Sequence, residues 1–287
     1  MEIGMFTSGY QRYPLERAFR DAREFGYDYI ELWGGRPHGF PYDLKAGAWK
    51  EVRTLTEQYE MPVAVYTPEH NGYPYNYMMG SQSQWEDAMA YLETALEMGK
   101  ALGAEYTLIS AGHAGNTATA AEIRERLNRS LLRLCRKAEA LDHKLLLEPL
   151  THFETNVCTS ANDLAEILDR INSPYLMGMC DIVVPFVEGE PILDYIAKLG
   201  NRMQHLHLVD SNGVDETHLV PGEGRIPLPE LMAGLAAGGY QGRATIELVT
   251  AYINEPSLYA RRAVERVREA FEAAQQHQGS GGKNQRN

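Results

Sequence analysis

The sequence has few cysteines and lacks the segments that would direct a chain into or across a membrane. Its three cysteines, Cys135, Cys158 and Cys180, are scattered and form no CxxC pair, so a disulfide framework is not expected and a reducing compartment is favoured. The amino-terminal stretch MEIGMFTSGYQRY shows no signal-peptide pattern, and no apolar run approaches the ~20 residues of a membrane helix. We therefore expect a soluble cytoplasmic protein without a membrane partner.

Basic residues are scarce as well. The 287 residues include 27 Lys or Arg against 39 Asp or Glu, which gives a formal net charge of −12. Proteins that bind nucleic acid usually present a basic stripe, so no nucleic-acid partner is expected. No glycine-rich phosphate loop follows the first predicted strand, where TSGYQRY stands, and this disfavours dinucleotide binding. The charge balance is compatible with a small polar or cationic substrate.

What the sequence does contain is a regular alternation of short apolar runs with longer amphipathic segments. Strands are predicted over residues 3–7, 29–33, 62–66, 106–110, 144–148, 176–181, 203–209 and 244–248. Helices are predicted over residues 15–25, 49–59, 83–102, 120–141, 161–171, 191–199, 229–237 and 256–274. Eight such units predict an α/β fold, a (β/α)8 TIM barrel that forms one domain over residues 1–274, with an open doubly wound sheet as the alternative. The polar, glycine-rich tail, residues 275–287, is predicted to be disordered.

Four residues of metal-binding types stand near the ends of the last four predicted strands: Glu148, Asp181, His207 and Glu247. Active sites of TIM barrels lie at the carboxyl ends of the strands, so this fold would bring three carboxylates and one imidazole around one point. Such a set suits one divalent ion, Mn²⁺, Co²⁺, Ni²⁺, Zn²⁺ or Mg²⁺. His205 faces the same way as His207 but lies one layer deeper. It is either a donor behind the ligands or a core histidine, and the core interpretation is favoured.

Several short sequence motifs are specific for a protein family when they are taken together and in order: WGGRPH, NGYPYN, LLLEPL, HLHLVD and PGEGRIPL. Along nearly its whole length the chain resembles the xylose-isomerase-like TIM barrel superfamily, and within it the ketose 3-epimerases. The resemblance implies that Glu148 and Glu247 both bind the metal and act as an acid–base pair. It also implies that Asp181 and His207 complete the ligand set and that Glu154 contacts the substrate.

Two positions depart from the epimerases that act on free ketohexoses. Val184 stands where those enzymes have a histidine that grips the sugar, and Gly213 stands in place of an arginine. The departures favour an adduct with more bulk around the sugar. The whole-chain resemblance implies the ketose–amine adduct fructoselysine, which would be converted to psicoselysine through an enediolate by removal and return of the C3 proton. Further predicted substrate contacts are Trp33, Arg36, Glu69, Tyr73, His113 and Arg225. The tryptophan loop and the tyrosine-rich segment can equally form a subunit contact, so a homo-oligomer is expected.

Three other functions remain open on the sequence. An aldose–ketose or hydroxypyruvate-type isomerase would use the same two glutamates to move a proton between C1 and C2. An apurinic metallo-endonuclease is suggested by Glu216 and His218, which are spaced like additional metal ligands of that branch, but Val184 and the negative charge argue against it. A barrel that only binds a sugar would be expected to lack one of the two glutamates, and both are present.

Overall fold

The computed structural model describes residues 1–72 and 74–281, apart from the side chains of residue 250 and residues 275–281. Its strands are β1 (Ile3–Phe6), β2 (Tyr29–Trp33), β3 (Val63–Thr67), β4 (Tyr106–Ser110), β5 (Lys144–Glu148), β6 (Leu176–Asp181), β7 (Met203–His207) and β8 (Arg243–Ile246). Neighbours in sequence pair in parallel, and β8 pairs with β1, so the sheet closes on itself. The predicted TIM barrel is confirmed.

Helices surround the barrel and connect its strands. They are α1 (Leu15–Phe25), α2 (Pro41–Asp43), α3 (Trp49–Tyr59), α4 (Gln82–Leu102), α5 (Ala120–Leu141), α6 (Ala161–Ile171), α7 (Val183–Glu188), α8 (Asp194–Leu199), α9 (Leu228–Ala237) and α10 (Pro256–Gly281). A π-helical turn (Leu44–Ala48) joins α2 to α3, and 3₁₀ turns form at Thr7–Tyr10, Gly200–Arg202 and Thr250–Tyr252. The two short helices α2 and α7 have no counterpart in the prediction.

The long helices begin and end where the sequence provides capping residues. Ser81 and Gln84 exchange hydrogen bonds at the start of α4, and Thr119 and Glu122 do the same at the start of α5. Gly103 ends α4 in the left-handed region, with a φ of 80°. The last helix, α10, continues to Gly281, beyond residue 274, where the predicted domain ends. Within the described part of the chain, no helix combines the length and the apolar character needed to cross a bilayer.

Large side chains fill the interior of the barrel below the rim. Tyr29, Tyr106, Leu146 and Met179 form one buried cluster there. Successive side chains of a strand point to opposite faces, so residues two positions apart share one face. The residues of this cluster therefore share the inner face with residues two positions nearer the rim, such as Glu148. Gly4 leaves room for this packing, because a Cβ atom at that position would lie 2.1 Å from the Tyr29 ring. The closed interior confines any bound molecule to the rim.

Candidate active site

A cavity of about 710 Å³ is lined by residues at the carboxyl ends of the strands. Its lining includes Glu148, Asp181 and His207, the last residues of β5, β6 and β7, and Glu247, which follows β8. Parallel strands of a barrel all end at the same rim, so these side chains converge. One potential ligand atom from each of the four lies within 4.8 Å of the others. The cluster predicted from the strand ends is therefore able to hold a metal ion.

The imidazole of His207 provides a test of whether a cation fits this cluster. Its Nδ1 lies 2.7 Å from Oε2 of Glu247 and 3.3 Å from Oε1 of Glu148. This nitrogen is buried and makes no hydrogen bond in the described residues. A buried ring nitrogen that faces carboxylate oxygens is unfavourable unless it is protonated or a cation lies between them. Three carboxylates and one imidazole are donors that a divalent ion accepts, so the residues fit such an ion.

Glu148 and Glu247 differ in their electrostatic surroundings. Burial raises the pKa of Glu148 to about 7, although attraction to His207 acts in the opposite direction. Burial also acts on Glu247, but the neighbouring His207 and His218 outweigh it and hold the pKa of this carboxyl well below its usual range. One carboxyl is thus partly protonated near neutral pH while the other stays ionised. Carboxyl groups whose environments separate their pKa values in this way are suited to acid–base catalysis.

The loop after β7 is held together by one buried carboxylate. The side chain of Asp210 accepts hydrogen bonds from the backbone N–H groups of Ser211, Gly222 and Ile226. Asp210 also forms an isolated antiparallel bridge with Leu219. These hydrogen bonds give Asp210 a structural role in the loop.

The same loop carries His218 and Glu216 into the cavity. Nε2 of His218 lies 2.8 Å from Oδ2 of Asp181 and 3.4 Å from Oε2 of Glu247. Glu216 accepts a hydrogen bond from the hydroxyl of Thr151, with a distance of 3.0 Å between Oγ1 and Oε2. His218 therefore borders the ligand cluster, and Glu216 lines the adjacent wall.

Three of the predicted substrate contacts line the cavity. Trp33 and Glu69 stand together, because the indole Nε1–H donates to Oε2 of Glu69 across 2.9 Å. Glu154 lies on the turn after β5, where its backbone N–H donates to the carbonyl of Thr151. Enclosure by the cavity walls and repulsion from Glu216 raise the pKa of Glu154 above its usual value.

Three of the remaining predicted contacts are not among the described residues that line the cavity. Arg36 is exposed and forms an ion pair with Asp43, at 2.6 Å. His113 is half-buried, and its Nδ1 accepts a hydrogen bond from the N–H of Gly115. Arg225 is exposed on the loop after β7. Among the described residues, none of these three predicted contacts lines the cavity, and Tyr73 lies outside the described residues.

The sequence interpretation missed Glu31, which lies in β2 and is fully buried. Its Oε1 accepts from the hydroxyl of Thr67 at 2.6 Å and lies 3.1 Å from Nε2 of His207. Its Oε2 lies 2.8 Å from Nε2 of His205, which is itself fully buried. Burial opposes ionisation, but His207 and His205 hold the pKa of Glu31 well below its usual range. The only sequence signal was one acidic residue inside the apolar run YIELW.

Comparisons with known proteins agree with this architecture. Residues 19–277 match the family described as xylose isomerase-like TIM barrel. The chain is 51% identical over 268 residues to fructoselysine 3-epimerase of Shigella flexneri. The alignment covers 93% of this chain and 97% of that protein.

Solved structures share the fold at much lower identity. An L-ribulose 3-epimerase superimposes with a TM-score of 0.80 at 16% identity, covering 97% of each chain. D-psicose 3-epimerase from Clostridium cellulolyticum H10, solved with D-tagatose, superimposes with a TM-score of 0.76 at 19% identity, covering 94% of this chain and 99% of that one. At these identities the superpositions establish the fold alone.

Proposed function

Since the chain belongs to the xylose isomerase-like TIM barrel family, we propose that it is a divalent-metal-dependent 3-epimerase that interconverts fructoselysine and psicoselysine. The observation that carries this proposal is the convergence of Glu148 and Glu247 at the cavity rim, with Asp181 and His207 completing a set of metal-binding side chains. The likeness to a fructoselysine 3-epimerase extends over nearly the full length of both chains and supports the choice of substrate.

The reaction inverts the configuration at C3 of a ketose, which requires removal of one proton and its replacement from the opposite face. A divalent ion held by Glu148, Asp181, His207 and Glu247 would polarise the C2 ketone and stabilise the negative charge that develops on its oxygen. Glu148 and Glu247 come from β5 and from the end of β8, so a ketose bound between them would present one face to each. The ionised carboxylate takes the C3 proton, and the protonated carboxyl returns one to the other face.

The charge of the cavity supports a cationic adduct over a free sugar. Six carboxyl groups line it: Glu69, Glu148, Glu154, Asp181, Glu216 and Glu247. Among the described lining residues there is no lysine or arginine. Three of the carboxyl groups belong to the proposed metal site, and the other three give the rest of the cavity an acidic lining that a neutral ketohexose would not use. Fructoselysine carries a secondary ammonium group next to C1, so its charge complements this surface.

We assign the ammonium group to Glu154 and Glu216. Both are linked to Thr151, Glu154 through its backbone and Glu216 through its side chain, so they lie on neighbouring walls of the cavity. Trp33 and Glu69 are proposed to contact another part of the same substrate. Contacts from His113, Arg36, Arg225 and Tyr73, the choice of metal, the cytoplasmic location and the homo-oligomeric state stay predictions.

The proposed reaction is tested by following deuterium incorporation from D₂O into fructoselysine. The purified protein is treated with chelator, reloaded separately with Mn²⁺, Co²⁺, Ni²⁺, Zn²⁺ or Mg²⁺, and the quenched, metal-free products are read by NMR. We expect deuterium at C3 and formation of psicoselysine. We also expect loss of both in Glu148→Gln and Glu247→Gln, and retention in Glu223→Gln, which alters an exposed ion pair with Arg262.

The same assay separates the alternatives. Exchange confined to C1 would indicate an aldose–ketose isomerase that uses the same glutamates. Absence of exchange with fructoselysine and with free ketohexoses, for every metal, would reject a 3-epimerase.

A further inference from the structure

Glu31 connects two sides of the barrel. It projects inward from β2, whereas His205 and His207 project inward from β7, and the strands β1 and β8 lie between them in the sheet. The glutamate carboxylate nevertheless contacts both rings, with 2.8 Å from Oε2 to Nε2 of His205 and 3.1 Å from Oε1 to Nε2 of His207. No lysine or arginine forms an ion pair with Glu31 among the described residues.

The contact determines which nitrogen of His207 carries the proton. An ionised carboxylate can only accept hydrogen bonds, so Nε2 of His207 must be the donor. A neutral imidazole has one N–H group and one lone pair, which places the lone pair on Nδ1. Nδ1 is the nitrogen that faces Glu148 and Glu247 at 3.3 and 2.7 Å. The hydrogen bond from Thr67 to Oε1 of Glu31 holds the carboxylate in this orientation.

We propose that Glu31 is a positioning residue that holds His207 as its Nε2–H tautomer, with Nδ1 directed at the metal site. The proposal rests on the metal site assigned above, but it concerns a residue that touches neither the ion nor the substrate. Hydrogen bonds of this kind orient a ligand ring and increase its basicity, so that metal affinity depends on them.

The tautomer can be measured in the unmodified protein. With ¹⁵N-labelled histidine and Zn²⁺ bound, long-range ¹H–¹⁵N spectra distinguish a protonated ring nitrogen from one that binds a metal. Assignment of the signal is made with His205→Gln, which removes the neighbouring ring. We expect His207 to show a protonated Nε2 and a metal-bound Nδ1. A metal-bound Nε2 or a deprotonated Nε2 would overturn the proposal. Because the tautomer is read in the unmodified protein, this result does not depend on the folding of a Glu31 variant.

The affinity test uses Glu31→Gln. The amide has the shape of the carboxylate but only one acceptor oxygen, which cannot satisfy both histidine donors and Thr67. We expect the Kd for Zn²⁺, measured by competition with a chromophoric chelator, to rise about 10- to 100-fold. We also expect a changed visible spectrum with Co²⁺ bound.

The matched control is Asp21→Asn, which alters another buried carboxylate, hydrogen bonded to Tyr10 and remote from the metal site. It is expected to lower the stability of the metal-free protein without changing the Kd or the Co²⁺ spectrum. If Glu31→Gln behaved like this control, Glu31 would be a structural residue only and the proposal would be wrong. Failure of the unmodified protein to bind any divalent ion would instead reject the metal site itself.

Discussion

The charge of the cavity leads to a quantitative prediction for Glu216→Gln. This substitution removes one negative charge but keeps an oxygen that can accept the hydrogen bond from Thr151, so the wall should retain its shape. A hydrogen bond to a charged group contributes about 1.5–3 kcal/mol. An exposed ion pair contributes less, about 0.2–1 kcal/mol.

Glu216 is exposed in the open cavity and would be partly covered by a bound substrate, so we expect an intermediate contribution of about 1–1.5 kcal/mol. At 1.4 kcal/mol per tenfold change, kcat/KM for fructoselysine should fall about 5- to 10-fold. Glu154 is likewise exposed in the open cavity, and Glu154→Gln should cause a loss of similar size.

The assay compares fructoselysine with an analogue in which an ether oxygen replaces the amine nitrogen. The analogue has the same length but lacks the positive charge next to C1, while the α-ammonium and carboxylate groups of its amino-acid part are unchanged. The quantity of interest is the ratio of the two kcat/KM values, because incomplete metal loading or partial unfolding lowers both values equally. We expect the ratio to fall in Glu216→Gln and Glu154→Gln, and to stay constant in Glu223→Gln. If the ratio stayed within twofold of the unmodified protein in both cavity variants, neither carboxylate would face the amine.

Three further predictions concern stability. Removal of the metal by chelator should lower the unfolding temperature, and reloading at 100 times the Kd should restore about 2.7 kcal/mol; identical melting curves with and without metal would contradict the proposed site. Burial lowers the pKa of His143 to about 4, so the neutral ring stabilises the fold above pH 6.5 and this contribution is lost as the pH falls towards 4. The free energy of unfolding, measured by urea denaturation, should therefore drop between pH 7 and 4.5 by about 2 kcal/mol more in the unmodified protein than in His143→Gln. An equal drop in both proteins would refute this. Gly4→Ala should destabilise by about 1–3 kcal/mol because its methyl group would collide with the Tyr29 ring, and a neutral effect would show that the ring has space to move.

The barrel could be predicted because its strands and helices differ in local periodicity. Strands β2, β4, β5 and β6 and helices α1, α3, α5 and α6 have the bounds expected from the apolar pattern. The segment around α7 was missed, because Val183–Glu188 is only six residues long and contains a proline, which gives no helical signal.

The candidate metal-binding residues could be predicted for a related reason. Each of Glu148, Asp181 and His207 ends its strand, so a local reading of strand ends is enough to place them at one rim. Glu31 could not be found in this way. Its partner His207 is 176 residues away in sequence, and only the closure of the barrel brings the two together. His218 was predicted only as an additional ligand of the endonuclease alternative, because its position beside Asp181 depends on how the loop after β7 folds back.

The hydrogen bonds of Asp210 give that loop a property that the rim residues do not share. Backbone N–H groups, which do not depend on side-chain identity, hold the base of the loop through their hydrogen bonds to Asp210. Residues at its tip can therefore be replaced while the base of the loop keeps its conformation. Glu216 belongs to that tip, whereas the glutamates proposed to transfer protons belong to the barrel. A change of preferred substrate can thus arise by replacement of a few loop residues, in evolution or in the laboratory, while the reacting groups keep their positions.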